Sequence, residues 1–249
     1  MAKKFLLFDL DGTLVKTTAG FYQTYFQLIA RAWTATPAAS FLASLLAATE
    51  EVRRQGEHRR PVGEVILADL ARRENLSLSQ VEAFFREFYG QAYETLAPFV
   101  EPIPGLPEAV AAFHREGIPM GVASDPVFPQ EQLALRLAWG GLDPSLFRLI
   151  TGADNSYALK PHARYYEDAC RQAGFSPEET LYVGNDPARD GLALRAGLQT
   201  FIVVGEDHPI AGRGPLLPEE EETSLQVPTG SWREAVAWVR QGLALTGPL

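Results

Sequence analysis

Two carboxylates one residue apart, Asp9 and Asp11, close the apolar run Phe5-Leu6-Leu7-Phe8 and are followed by Gly12-Thr13. Residues two apart in an extended chain point the same way, so both acids share a face. The run before them has no polar alternation, the pattern of a strand covered on both sides in a parallel sheet. Gly12 allows a sharp exit from that strand, including a left-handed backbone. Open α/β sheets bind ligands at the carboxyl ends of their strands, which is where these acids fall. Like charges this close are costly unless a cation or a shared proton relieves them. The spacing therefore points to a cation or a proton held at this strand end.

Three further groups take the same place relative to an expected strand. Ser124-Asp125 follows the strand expected from Ile118 to Ala123, and Lys160-Pro161 lies shortly beyond the one expected from Phe147 to Ile150. Gly184-Asn185-Asp186, with Asp190, follows the one expected from Leu181 to Val183. Alone, a Ser-Asp pair reads as a turn and a Lys-Pro pair as a loop. Their recurrence at or just past successive strand ends marks them as one site.

The elements that must position these groups alternate strand and helix. Helices are expected from Leu106 to Glu116, Gln130 to Trp139, His162 to Ala173 and Leu192 to Ala196. A last strand is expected from Thr200 to Val204, and Ser231 to Glu234 reads as the capping box of a final helix. This alternation implies an α/β fold, a Rossmann-like parallel sheet core with helices on both faces. From about Thr17 to Ala97 the apolar residues keep helical spacing instead, enough for four helices. The second is expected to be capped by Thr36-Pro37 and the fourth by the Ser77–Gln80 capping box. A stretch this much longer than the ~15-residue loop limit reads as an inserted helical cap domain. We therefore divide the chain into a core, 1–16 and 98–249, and a cap, 17–97, with Pro98, Pro102, Pro104, Gly105 and Pro107 marking the hinge-like return.

The order of the four groups resembles the motifs of the haloacid dehalogenase-like (HAD) hydrolase superfamily, whose first motif is Asp-x-Asp-Gly-Thr. The resemblance covers Phe5 to Val204, with the insert placed as in phosphatase-like members with a helical type 1 cap. It implies that Asp9 is a nucleophile forming an aspartyl phosphate, and that Asp11 is the general acid/base and lends its backbone carbonyl to Mg2+. It implies that Ser124, with the amide near Asp125, binds a phosphate oxygen, and that Lys160 neutralises the phosphoryl group and orients Asp9. Asp186 becomes the side-chain metal ligand, supported by Asp190. The implied activity is a magnesium-dependent phosphatase of a small phosphorylated metabolite. The alternatives are a 2-haloacid dehalogenase, a sugar phosphomutase, or a non-catalytic anion-binding module. A mutase would need a second phosphate site in the cap. Arg53, Arg54, Arg59, Arg60, Arg72 and Arg73 could build one, although their pattern reads more simply as solvated helix faces. Asp125 stands where the family commonly has a neutral residue, so its charge has to be protonated, paired or turned away.

Composition sets the outer bounds. The chain has 249 residues, 46% of them hydrophobic, so a sizeable core is expected. A net charge of -9 argues against nucleic acid or an anionic membrane as partner. The single cysteine, Cys170, excludes an internal disulfide and reads as a small buried apolar group. His58, His114, His162 and His208 are scattered and suggest no zinc site, and there is no P-loop. The acidic run 218–222 reads as a solvated loop. No signal peptide or membrane span is expected, so we expect a cytoplasmic monomer or homodimer.

Overall fold

The computed structural model describes residues 4–209 and 226–244. In chain order the elements are β1 (Phe5–Phe8), β2 (Val15–Thr17), α1 (Gly20–Ala32), α2 (Ala38–Gln55), α3 (Val62–Glu74) and α4 (Leu78–Gln91). They continue with β3 (Val100–Pro102), α5 (Leu106–Arg115), β4 (Met120–Val122), α6 (Gln130–Trp139), β5 (Leu149–Ile150) and α7 (Ala163–Ala173). The last are β6 (Thr180–Gly184), β7 (Gln199–Val203), β8 (Thr229–Gly230) and α8 (Trp232–Gly242).

All four residues of β1 are fully buried because the strand is central and covered on both faces. Phe5 and Leu7 pack with Tyr165, Tyr166 and Ala169 of α7, whereas Leu6 and Phe8 join the larger cluster on the other side. The sheet runs β5-β4-β1-β6-β7-β8 and every pairing is parallel. Phe8 lies in register with Val122 of β4 and Val183 of β6. The chain therefore leaves these three strands at one level, which brings Asp9, Ser124 and Asn185 side by side.

Helices α1 to α4 fall between β2 and β3, which pair antiparallel with Lys16 opposite Glu101. The two crossings of the chain are thus zipped together as a short ribbon that the sequence did not announce. Three-residue strands carry too little periodicity to register. The helices do not close a separate core. Phe41, Phe85 and Phe88 belong to the same buried cluster as Leu6 and Phe8 of the sheet. Where the inserted segment meets the loop before Lys160, His58 N, Val62 N and Gly63 N donate to Tyr157 O, Ser156 O and Ala153 O, each at 2.8 Å. A Cβ at Gly63 would press against Ala153, so only glycine lets the backbones approach this closely.

Several local expectations need correction. Thr36 does not cap α2; its hydroxyl donates to Glu74 Oε2 at 2.5 Å and accepts from Trp33 Nε1 at 2.9 Å. The helix expected from Leu192 to Ala196 is a 3-10 helix, Asp190–Ala196. The strand expected to be last is followed by β8, which extends the sheet beyond β7. The capping boxes at Ser77 and Ser231 form as expected. Cys170 is buried, and burial pushes its thiol up to about 11, as suits an apolar filler. No helix among the described residues is long and apolar enough to cross a membrane. The acidic run 218–222 lies outside the described residues.

Candidate active site

Asp9 continues the β1 ladder by one residue, its N–H donating to Val183 O at 2.8 Å. The chain then turns through Gly12 at φ 79°, with Leu14 N bonded to Leu10 O at 2.9 Å. A Cβ at Gly12 would collide with the Asn185 side chain and Pro209 O. His208, buried, braces the same turn through Nδ1 to Gly12 O at 2.9 Å. The turn is therefore fastened to the ends of β6 and β7, and it holds Asp9 at the mouth of the sheet.

Lys160 is the hub of the site. Its Nζ donates to Asp9 Oδ1, Asp190 Oδ1 and Tyr182 OH, each at 2.7 Å, which uses all three of its hydrogens. Burial opposes the lysine charge, but Asp190 and Asp9 outweigh it and hold the ammonium well above its ordinary value. Asp190 is consumed by this duty. Its Oδ1 also accepts from Tyr182 OH at 2.7 Å, and its Oδ2 accepts from the amides of Asn185 and Asp186 at 3.0 Å each. Burial would raise the Asp190 carboxyl, yet Lys160 and these donors keep it low. Its approach requires Gly184, where a Cβ would overlap the carboxyl group.

Asp9 stands in the opposite condition. Burial pushes its carboxyl up to about 8 in spite of Lys160, with Asp190 and Asp11 adding to the rise. One lysine is thus shared by more buried negative charge than it balances, which is the deficit a divalent cation relieves. Asp186 lines the same cavity as Asp9 and Asp11, and its Oδ1 accepts from Ala188 N at 3.0 Å. Among the described residues no three His, Cys, Asp or Glu side chains gather tightly enough to hold a metal alone. The oxygen-only donors facing the cavity suit magnesium, which takes one or two carboxylates and keeps waters or phosphate oxygens for the rest.

Ser124, at the end of β4, is buried and lines the cavity, while its carbonyl is fixed by Tyr165 OH at 2.5 Å. The charge of Asp125 is paired. Arg53 of α2 grips it through Nη1 to Oδ1 at 3.2 Å and Nη2 to Oδ2 at 2.8 Å, and Arg53 also donates to Lys160 O. Burial would raise the Asp125 carboxyl, but Arg53 holds it below its ordinary value. Arg53 is itself only 3% exposed, so the expectation of a solvated helix face fails for it. That expectation holds for Arg54 and Arg72, which are exposed and pair with Glu51 and Asp69.

Asp11 has a partner that the motifs do not contain. Arg136 of α6 donates through Nη1 to Asp11 Oδ2 at 2.5 Å, Tyr22 OH donates to the same oxygen at 3.3 Å, and Thr17 Oγ1 donates to Oδ1 at 2.5 Å. The guanidinium is fully buried between the rings of Phe21 and Phe128, and its Nε donates to Tyr93 OH at 2.8 Å. One signal for it existed in the sequence. Arg136 follows Leu133 by three residues, on the apolar face of its helix, where a solvated arginine has no place.

These groups surround a cavity of about 550 Å3. The inserted helices close its far side with Tyr22, Tyr25 and Phe26 from α1 and Leu45, Leu46 and Glu50 from α2. The arrangement gathers the carboxylates of Asp9, Asp11 and Asp186, the Lys160 ammonium and the Ser124 hydroxyl around one space.

A family model described as haloacid dehalogenase-like hydrolase matches residues 3–197. The chain is 29% identical to an N-acetylmuramic acid 6-phosphate phosphatase of Pseudomonas aeruginosa, over 84% of this chain and 87% of that protein. It is 26% identical to a phosphoglycolate phosphatase of Mesorhizobium japonicum, over 82% of this chain and 83% of that protein. Among solved structures it shares its fold with a HAD family hydrolase of Deinococcus radiodurans crystallised with phosphate and sodium. The TM-score is 0.57 at 19% identity, over 99% of each chain.

Proposed function

Because the chain belongs to the haloacid dehalogenase-like hydrolases, we propose that it is a phosphatase of small phosphate monoesters, working through an aspartyl phosphate on Asp9 with Mg2+ as cofactor. The observation that carries this is Lys160 Nζ bridging Asp9 and Asp190 at 2.7 Å each, in a cavity that Asp11, Ser124 and Asp186 also line.

In the first half-reaction an Asp9 carboxylate oxygen attacks phosphorus, the bond from phosphorus to the ester oxygen breaks, and Asp11 gives its proton to the departing alkoxide. In the second, water attacks the phosphoryl group, Asp11 takes its proton, and the bond between Asp9 and phosphorus breaks to release phosphate. Lys160 keeps Asp9 aimed and balances the charge of the incoming group. Ser124 holds a phosphate oxygen. Asp190 and Tyr182 act through Lys160. Asp9, Asp186 and the Asp11 carbonyl would hold the magnesium, which supplies charge neutralisation between nucleophile and phosphate. To deliver a proton, Asp11 gives up its pairing with Arg136.

We assign residues 17–97 the role of a cap that opens at the β2–β3 ribbon to admit substrate and closes to exclude water. Opening would part Arg53 from Asp125 and break the backbone bonds of His58, Val62 and Gly63 to the loop 153–157.

The test is phosphate release from a panel of phosphorylated metabolites, with magnesium and with the metal chelated. Turnover that requires the metal and disappears in Asp9→Asn is expected. Wild-type turnover by Asp9→Asn would overturn the assignment.

A further inference from the structure

Resting on the phosphatase reading, we propose that the preferred substrates are phosphate monoesters whose leaving group is an uncharged, apolar or aromatic alcohol, and that esters carrying a second anionic group are disfavoured. The wall facing the leaving group is built from Tyr25, Phe26, Leu45 and Leu46 of the inserted helices and from Val127 and Phe128 after β4. Polar groups in that wall are already engaged elsewhere. Tyr22 OH is on Asp11, Tyr25 OH is on Tyr89 OH at 3.2 Å, and Thr49 Oγ1 donates to Leu45 O at 2.9 Å.

The cations reaching the cavity are also taken. Among the described lining residues they are Lys160, Arg53 and Arg189. Lys160 serves Asp9 and Asp190, Arg53 is gripped by Asp125, and Arg189 stands 3.9 Å from the same Asp125. Glu50 adds a negative charge to the inserted side, with its Oε1 3.5 Å from Arg53 Nε. A carboxylate or second phosphate on the leaving group would enter this space with no cation to receive it and an acid beside it. An alkyl chain or ring would instead bury apolar surface against apolar walls.

Matched esters separate these outcomes. The probes are n-butyl phosphate and the butanoate phosphate of the same chain length, whose far end is a carboxylate, with shorter n-alkyl phosphates as a series. We expect kcat/KM at least tenfold higher for the neutral ester. We also expect it to rise about three- to fourfold for each added methylene until the cavity is filled. Glu50→Gln should narrow the preference by about fivefold, the value of one nearby charge in water. Equal or better turnover of the carboxylate ester, or no rise along the alkyl series, would overturn the substrate class while leaving a phosphatase in place. Failure of every ester, including the wider metabolite panel, would overturn the phosphatase reading and this inference with it.

Discussion

Arg136 and Asp11, separated by 125 residues in the chain, form an ion pair of 2.5 Å in which the arginine has no exposed surface. Taking both charges out of water offsets most of their attraction, so such a pair adds little net stability. Its effect is geometric. Arg136 is clamped by Tyr93 OH and two ring faces, and Asp11 is held where that clamp leaves it. Arg136 Nη2 has no hydrogen-bond partner among the described residues, and the guanidinium is instead covered by rings. Cation–π contact there is worth up to about 2 kcal/mol when desolvated.

Removing only the arginine strands a partly buried carboxylate. Arg136→Met should lower the unfolding free energy by about 3–5 kcal/mol. Adding Asp11→Asn to that variant should restore a large part of the loss, since the stranded charge is gone. Urea unfolding of both single variants and the double variant measures the coupling, and simple additivity would show that the two residues are not energetically linked.

Asp186 and Asp190 should fail in different ways. Asp186→Asn should raise the magnesium concentration needed for half-maximal turnover, because Asp186, which lines the cavity with Asp9 and Asp11, is the side chain proposed to hold the cation. Asp190→Asn should leave that concentration nearly unchanged and lower kcat by about 10- to 100-fold, the usual consequence of disturbing a residue that orients a site group. Magnesium titrations of the two variants decide it; an exchange of the two behaviours would reverse the roles proposed for them.

The Arg53–Asp125 clasp makes stability depend on pH in a definite sense. Burial would raise the Asp125 carboxyl, but Arg53, with Arg189 and Lys160 behind it, holds it below its unfolded value of 3.8. A depressed carboxyl adds stability above the unfolded value and loses it as pH falls through the folded one. Arg53→Met should therefore cost about 1.5–3 kcal/mol at neutral pH. Denaturant unfolding should show the gap between variant and wild type closing toward pH 3, and a gap that widens in acid would contradict the clasp.

Two glycines with the same backbone conformation provide a contrast. Gly12 and Gly117 have φ of 79° and 75°, but a Cβ at Gly117 meets nothing within 4 Å. Gly117→Ala should cost about 1–2 kcal/mol of left-handed strain and leave turnover intact. Gly12→Ala carries the same strain plus collision with Asn185 and Pro209, so it should displace Asp9 and depress turnover sharply. Thermal unfolding together with phosphate release would separate the two, and equal activity losses would discount the role of the Gly12 turn.

The parallel core was legible because its signals are local. A four-residue apolar run with no alternation, closed by Asp-x-Asp-Gly, suits a strand covered on both faces, and Phe5–Phe8 is that strand. The capping box at Ser77 and the helix Gln130–Trp139 were equally readable, since caps and periodicity lie within one or two turns of chain. Asp9, Asp11, Ser124, Lys160 and Asp186 could be named together because strand ends in a parallel sheet converge, and all of them line one cavity. The β2–β3 ribbon and the true neighbours of Thr36 stayed hidden because they depend on pairings across the insert.

The order of residues along this chain determined which strands line up and which polar groups stand at their ends, because both follow from short-range pattern and the level at which parallel strands stop. Folding alone decided how those charges are shared: Asp190 with Lys160, Asp125 with Arg53, Asp11 with Arg136. Those partners lie 30, 72 and 125 residues apart. Which cation meets which acid is set by burial and packing distance, and neither quantity is written in the spacing of the residues themselves.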